Sequence, residues 1–489
     1  MNKKMHDLID ANFDELVAAV QKFIRIDSVA DDDKVDMAAM YPFGEKMANI
    51  LTEFLAYAAQ QGFIVKNVAN AAGHAECGGD SSAAQSIIGV LCHLDVVPIG
   101  SRDQWKHEPF GGEIDGGRLY GRGSVDDKGP AVVSLYALKA LRDCGVPLNH
   151  RYRLIVGLDE ESGFSRCLGK YLENEETPMY SFSPDASFPV INAEKGILRF
   201  DINGSCTWGK PSEQARRNIN LVKIAAGDRY NVVPDSATAY FEGDINQIKE
   251  ILSPLADQDC SMKEEGGKLA FTVRGVSAHA MEPHKGKNAL QGLMEKLARL
   301  KLATAGEDGL PNELLNICTL VGNTPQGGTV TGVQFGIACK DEVSGSLTCN
   351  AAALKFENDK YSLRFDVRYP VTANSEKIIE DIKRAVQIQG VTVTIQQNKL
   401  PLHLPAEMPF IQVLLGAYND LTGDKGEPLC IGGGTYCRFL KNAVSFGPIF
   451  PNEEVTEHKP DEYVSLESLR KTTHIYAEAL YRINAGAIG

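Results

Sequence analysis

The chain has 489 residues, enough for two or three domains and a large buried core. Lys and Arg total 50 against 64 Asp and Glu, a formal charge of −14 with no basic run, which argues against nucleic acid or an anionic membrane as partner. No stretch approaches the roughly 20 apolar residues of a membrane helix. Lys3 and Lys4 are not followed by a signal-peptide core, because Asp7, Asp10, Asp14 and Glu15 interrupt. Eleven cysteines, odd in number and without a CxxC pair, fit reduced thiols, so a cytoplasmic location is expected.

Taken in order, residues 6–26 carry Leu8, Ile9, Phe13, Leu16, Val17, Val20, Phe23 and Ile24 at helical spacing, which predicts one amphipathic helix. Residues 41–61 predict another. From 65 to 163 apolar runs alternate with helical patterns, as in α/β folds. The Ala/Gly-rich stretch 70–82 reads as a hairpin or loop. The apolar run 86–92 reads as a buried strand ending in His93-Leu94-Asp95. Side chains alternate along a strand, so His93 and Asp95 project to one side. Asp95 can then accept a hydrogen bond from one ring nitrogen of His93 and leave the other for a metal.

Residues 120–130 pack glycines around Asp126 and Asp127, then enter the apolar segment 131–141, which predicts a helix. Gly129 and Pro130 suit a tight turn and a clean helix start. The positive end of that helix favours ionised carboxylates beside it, an arrangement suited to a cation held by oxygen. Alone, the stretch reads equally well as an N-capped surface loop. Its neighbours change the balance. The runs 152–158 and 179–183 predict strands that end in Asp159-Glu160-Glu161 and Pro184-Asp185. Three strand ends and one helix start thus present acids or a histidine, and ligands of open α/β sheets bind beyond the carboxyl ends of strands.

After Asp185 the texture changes. Stretches 196–203, 231–243 and 269–276 alternate like half-exposed strands, followed by a helix over 289–302. A second set follows: strands 351–357 and 361–369, a helix over 375–387 and a strand over 391–396. Two βα sandwiches in tandem are expected, joined by a Gly/Thr loop at 322–332. From 403 the α/β texture returns, with a helix over 409–422, the run Gly432-Gly433-Gly434-Thr435, a strand over 443–446 and an amphipathic helix over 466–485.

The stretches His93-Leu94-Asp95, 121–129, 159–163 and Ser183-Pro184-Asp185-Ala186 together resemble the dinuclear zinc metallopeptidase family of aminoacylase, carboxypeptidase G and succinyl-diaminopimelate desuccinylase. Asn231-Val232-Val233-Pro234, Ser277-Ala278-His279-Ala280, the run 432–438 and Gly447-Pro448-Ile449-Phe450-Pro451 followed by His458 narrow the resemblance to its dipeptidase V branch. The resemblance spans nearly the whole chain in order. It implies two divalent metal ions per chain, zinc first, with manganese or cobalt tolerated by the same mixed ligands. His93 and Asp185 would hold one ion, Glu161 and His458 the other, and Asp126 would bridge them. Glu160 would be the general base, Asp95 the partner of His93, and Asp127 a shaping residue. His279 would stabilise the oxyanion, Asn231 assist at the reacting centre, and Arg368 grip the substrate carboxylate, with Arg364 as a nearby alternative. Gly433, Gly434 and Thr435 would donate hydrogen bonds to the same end of the substrate.

Four ligands precede residue 190 and the fifth is His458, so the expected catalytic domain combines residues 1–195 and 403–489. The expected fold class is α/β: a zinc-peptidase-like mixed sheet with flanking helices, plus an inserted α+β lid of two βα sandwich halves over 196–402. The reading is a metal-dependent dipeptidase acting on small peptides with a free N-terminal amine, and a monomer whose second lid half replaces a partner subunit. An N-acyl-amino-acid deacylase or a carboxypeptidase would use the same site. A non-catalytic metal- or peptide-binding protein on this scaffold is the alternative from another class.

Overall fold

The apolar runs that close on acids become the centre of a sheet. In the computed structural model, which describes residues 2–31, 34–79, 86–206, 219–303, 312–322, 331–387 and 390–488, Ile87–His93 lies parallel between Arg151–Gly157 and Tyr180–Ser183. Every residue of Ile87–His93 is buried, as expected of a strand covered on both faces. The full order is Ile64–Val68, Ala72–Cys77, Arg151–Gly157, Ile87–His93, Tyr180–Ser183, Ala443–Ser445, Val190–Glu194 and Leu402–His403, with Pro428–Ile431 also paired to Val190–Glu194. The strands near Ile64 and Val190 pair antiparallel, so the sheet is mixed.

Two compact units emerge. The first comprises Met1–Ala193, His403–Cys430 and Gly434–Gly489; the second comprises Glu194–Leu402 and Ile431–Gly433. In the first, Lys128–Asp143 packs against both Phe13–Ile24 and Leu466–Asn484. All but three of its residues are buried, so it is a core helix and not a surface one.

The second unit holds one antiparallel sheet of eight strands: Cys260–Glu265, Lys268–Arg274, Ser236–Gly243, Ile219–Ala226, Thr348–Glu357, Lys360–Tyr369, Gly196–Ser205 and Thr392–Lys399. The two sets read from the sequence therefore share a sheet, joined where Ile224 pairs with Phe356 and Ala226 with Leu354. Leu290, Leu293, Met294 and Leu297 from Ala289–Ala303, Ile248 and Leu252 from Ile245–Leu252, and Ile378 and Ile382 from Ser375–Ala385 share its core with Phe200, Phe241 and Phe365.

Several boundaries differ from the sequence expectation. The first predicted helix is two, Lys3–Ala11 and Phe13–Ile24. Asn12 breaks it: its side-chain amide donates to the Leu8 carbonyl at 2.7 Å, competing with the backbone pattern. Stretch 70–82 contains the strand Ala72–Cys77, hairpinned to Ile64–Val68, while 80–82 lie outside the described residues. Most of the loop at 322–332 lies outside them too. Asn231 precedes its strand, which starts at Ser236. No helix among the described residues is long and apolar enough to cross a membrane.

Candidate metal centre

Parallel pairing puts His93 level with Gly157, so His93, the turn Leu158–Glu161 and Asp185 leave the sheet at the same end. There the structure gathers two groups with ligand atoms mutually within 4.8 Å: His93, Glu160 and Asp185, and His93, Asp126 and Glu161. Asp126 reaches both histidines. Its Oδ1 lies 2.8 Å from His93 Nε2 and its Oδ2 lies 2.9 Å from His458 Nε2. His458 Nε2 is also 3.2 Å from Glu161. Asp185 Oδ1 is 3.8 Å from His93 Nε2. All six side chains belong to the first unit. His458 is the most accessible of them, with 53% of its side chain exposed.

A ring nitrogen of His93 meets the Asp95 backbone in place of the expected Asp95 carboxylate. His93 Nδ1 lies 2.9 Å from the Asp95 backbone carbonyl and 3.4 Å from the Asp95 carboxylate. That carboxylate accepts the Glu161 N–H at 2.9 Å and so holds the turn carrying Glu160 and Glu161. Asp127 is fully buried and accepts the His93 N–H at 3.1 Å. Both acids fix the backbone around the candidate ligands.

The loop carrying Asp126 is clamped by a residue that the sequence reading passed over. Glu462 is buried, and one of its oxygens accepts the N–H groups of Gly123, Val125 and Asp126 at 3.0, 3.0 and 3.3 Å. The other takes the Arg122 guanidinium at 2.6 Å. Only glycine fits at 129, because a Cβ would sit 2.1 Å from the Ser124 carbonyl. Tyr436 is the second residue missed. Its ring meets His93 edge-on with centroids 6.1 Å apart, and its hydroxyl lies 2.9 Å from Cys167 Sγ. The one sequence hint for Glu462 was Arg122, a cation inside a glycine loop that needs a buried partner; Tyr436 gave none beyond its place after the glycine run.

The electrostatics are those of crowded acids. Burial, then Asp185, pushes the Glu160 carboxyl well up; burial, then Asp126, pushes Glu161 up to about 7 and raises Asp185. Burial opposes ionisation of Asp126, yet His458 and His93 hold it well below the ordinary range. Burial would depress His93, and the acids Asp126, Asp185 and Asp95 outweigh it. His93 Nε2 and Asp126 Oδ1 are buried polar atoms without a hydrogen-bond partner, although they lie 2.8 Å apart. Four carboxylates and two imidazoles converging on such atoms fit divalent cations with nitrogen and oxygen ligands.

The remaining expected residues lie mostly in the second unit. His279 and Asn231 are brought together: Val232 and His279 form an antiparallel bridge, and Ala280 N–H donates to the Asn231 carbonyl at 2.9 Å. Met281 N–H donates to His279 Nδ1 at 3.1 Å, which puts the ring proton of the neutral form on Nε2. Burial, then Arg368, keeps His279 below its usual pKa. Arg368 is buried and gives three N–H bonds to Asp366 and to the Gly432 carbonyl. Arg364 instead donates to the Asp228 carbonyl at 3.2 Å. Gly433 lies in the second unit, Gly434 and Thr435 in the first. The Thr435 hydroxyl accepts the Cys437 N–H at 3.2 Å and meets Ser445 Oγ at 3.1 Å, so it caps a turn.

Residues 89–482 match the sequence profile of peptidase family M20/M25/M40. The "Putative dipeptidase YtjP" of Bacillus subtilis (strain 168) is 39% identical over 478 residues, covering 96% of this chain and 97% of the relative. The "Putative dipeptidase SH1171" of Staphylococcus haemolyticus (strain JCSC1435) is 32% identical over 477 residues, with 96% and 97% covered. Among solved structures, the di-peptidase Dug1p of Saccharomyces cerevisiae superposes with a TM-score of 0.59 at 13% identity, with 99% of both chains covered. Human carnosine dipeptidase 1 gives 0.56 at 14%, again with 99% of both covered. At such identities the superpositions speak to the fold alone, whereas the profile and the two bacterial relatives settle descent: this chain belongs to peptidase family M20/M25/M40.

Proposed function

We propose that this chain is a metal-dependent dipeptidase that hydrolyses small peptides with a free N-terminal amine. The observation that carries the reading is Asp126, whose two oxygens reach His93 on one side and His458 on the other. A carboxylate so shared would suit a site for two divalent cations. His93 and Asp185 would hold one, Glu161 and His458 the other, and zinc, manganese or cobalt all accept such ligands. When bound, the pair supplies Lewis acidity toward the peptide carbonyl and makes water acidic enough to react near neutral pH.

This chain's own residues do the rest. Glu160 takes the proton of the attacking water and returns it to the leaving amine nitrogen. Asp95 holds its turn through the Glu161 N–H. His279, neutral and protonated on Nε2, donates to the developing oxyanion, with Asn231 beside it. Arg368 retains two of its five N–H groups for the substrate carboxylate. The Gly433–Thr435 run lines the same end of the substrate. The inserted stretch 196–402 acts as a lid that grips both termini, and each chain works as a cytoplasmic monomer. Eleven free cysteines support the compartment.

The test is a substrate panel on metal-stripped protein reloaded with each ion. Dipeptides with a free amine should be cleaved fastest and tripeptides poorly. Faster cleavage of N-acyl-amino acids would make it a deacylase, stepwise trimming of long peptides a carboxypeptidase, and no hydrolysis with any metal a binding protein.

A further inference from the structure

Far from the acids just described in chain order, two helices of the first unit each carry a histidine and an acid one turn apart. Lys3–Ala11 presents His6 and Asp10; Leu466–Asn484 presents His474 and Glu478. Where the helices meet, the pairs interlock. His6 Nε2 lies 3.3 Å from Glu478, and His474 Nε2 lies 3.3 Å from Asp10. The two Nδ1 atoms face each other at 2.6 Å. Ring centroids 4.9 Å apart, with planes only 23° from parallel, mean that the rings meet edge to edge.

A carboxylate 3.3 Å from each Nε2 favours the tautomer with the proton there, which leaves a lone pair on each Nδ1 of a neutral ring. Two lone pairs at that separation repel unless a cation lies between them. The acids are already committed: Asp10 accepts Arg470 at 2.7 Å, and Glu478 accepts Arg482 at 2.8 Å. The imidazoles are therefore the donors on offer. An imidazole whose far nitrogen donates to a carboxylate is the usual form of a metal-bound histidine. Both rings keep a modest exposure, 16% for His6 and 17% for His474, so water can complete a coordination shell.

We propose that His6 and His474 hold one divalent transition-metal ion of the imidazole-preferring class (zinc, nickel or copper) between their Nδ1 atoms, separate from the candidate metal centre. With metal–nitrogen bonds of about 2.0–2.1 Å, the rings need part by less than about 1 Å, within the reach of side-chain rotation. The ion staples the first helix of the chain to the long helix near its other end. Asp10 and Glu478 orient the rings, and Arg470 and Arg482 balance the acids. The alternative occupant of the gap is a single shared proton.

The experiment uses the full chain with its centre loaded with zinc. Wild type, His6→Gln and His474→Gln are equilibrated with excess zinc, desalted, and assayed for zinc per chain, thermal unfolding and hydrolysis. Wild type should retain one zinc more than either variant. Added zinc should raise its unfolding temperature and leave both variants unmoved, with hydrolysis equal in all three. Equal zinc content in the three proteins, or a zinc-induced shift of the same size in each, overturns the proposal and leaves the shared proton as the occupant. Should one variant fail to fold, the other carries the comparison.

Discussion

Removing the Glu462 side chain tests how the loop beneath Asp126 is held. In Glu462→Ala, the Arg122 guanidinium loses its carboxylate at 2.6 Å and keeps a 3.3 Å bond to the Pro98 carbonyl and the face of the Trp105 ring, 5.3 Å away, neither of which carries an opposite charge. Arg122 is 1% exposed, so the charge stays buried. Breaking one side of a buried ion pair costs about 3–5 kcal/mol. Three backbone N–H groups lose their acceptor as well, but they share one oxygen, so their losses overlap and do not add. The expected destabilisation is therefore about 4 kcal/mol. Glu462→Gln keeps an acceptor for the amides and loses the charge, so it should fall between Ala and wild type. Urea unfolding of metal-stripped protein measures the stability without contributions from bound ions. Zinc affinity of the folded variants should fall in the same order, because Asp126 loses the bond to its own N–H. A Glu462→Ala protein within about 1 kcal/mol of wild type would refute the assignment of Glu462 as the clamp.

Four further outcomes are expected. Gly157→Ala places a Cβ 2.3 Å from the Tyr436 hydroxyl and 2.8 Å from Cys167 Sγ, so it should lose about 1–3 kcal/mol, and Gly157→Ala with Tyr436→Phe should recover part of that in urea unfolding. His74, buried against Tyr171 and near Arg153, is pushed down to about 3, first by burial and then by Arg153. The unfolded chain binds a proton there below about 6.5 and the native one does not, so this contribution to stability is whole above that pH and shrinks by up to about 1.4 kcal/mol per unit as pH falls toward 3. A stability difference between wild type and His74→Phe that stays constant from pH 7 to 4 would contradict it. Glu160→Gln should keep its metals by elemental assay while kcat falls roughly 10²–10⁴-fold; near-normal kcat removes Glu160 as base. Mixing Glu160→Gln with His279→Ala should restore no activity, and recovery would show that His279 serves a partner chain.

The sequence spoke most clearly where one strong rule acts alone. The apolar runs leading to His93, Glu160 and Asp185 read as strands that end in acids or a histidine, and their parallel pairing brings those ends to one side of the sheet. Pro409–Thr422 begins and ends at the predicted residues because proline and glycine punctuate both ends. What stayed hidden depends on contacts distant in the chain. Glu462 meets Arg122 across 340 positions, and no local pattern announces that. Tyr436 lies beside Gly157 for the same reason. The break at Asn12 turns on one side-chain hydrogen bond competing with a periodicity that runs unchanged through it. The joining of two strand sets into one sheet rests on the pairing of Ile219–Ala226 with Thr348–Glu357, strands more than a hundred positions apart.

Asp126 precedes its partner His458 by more than 330 positions and the clamp Glu462 by 336. On the ribosome, sequence order becomes a schedule. At about 5–20 residues per second, the strand ends bearing His93, Glu160 and Asp185 are made many seconds before either late residue exists. Until then Asp126 has His93 but lacks both its second histidine and the carboxylate that fixes its loop. The nascent polypeptide therefore carries an unfinished centre until His458 and Glu462 have been added.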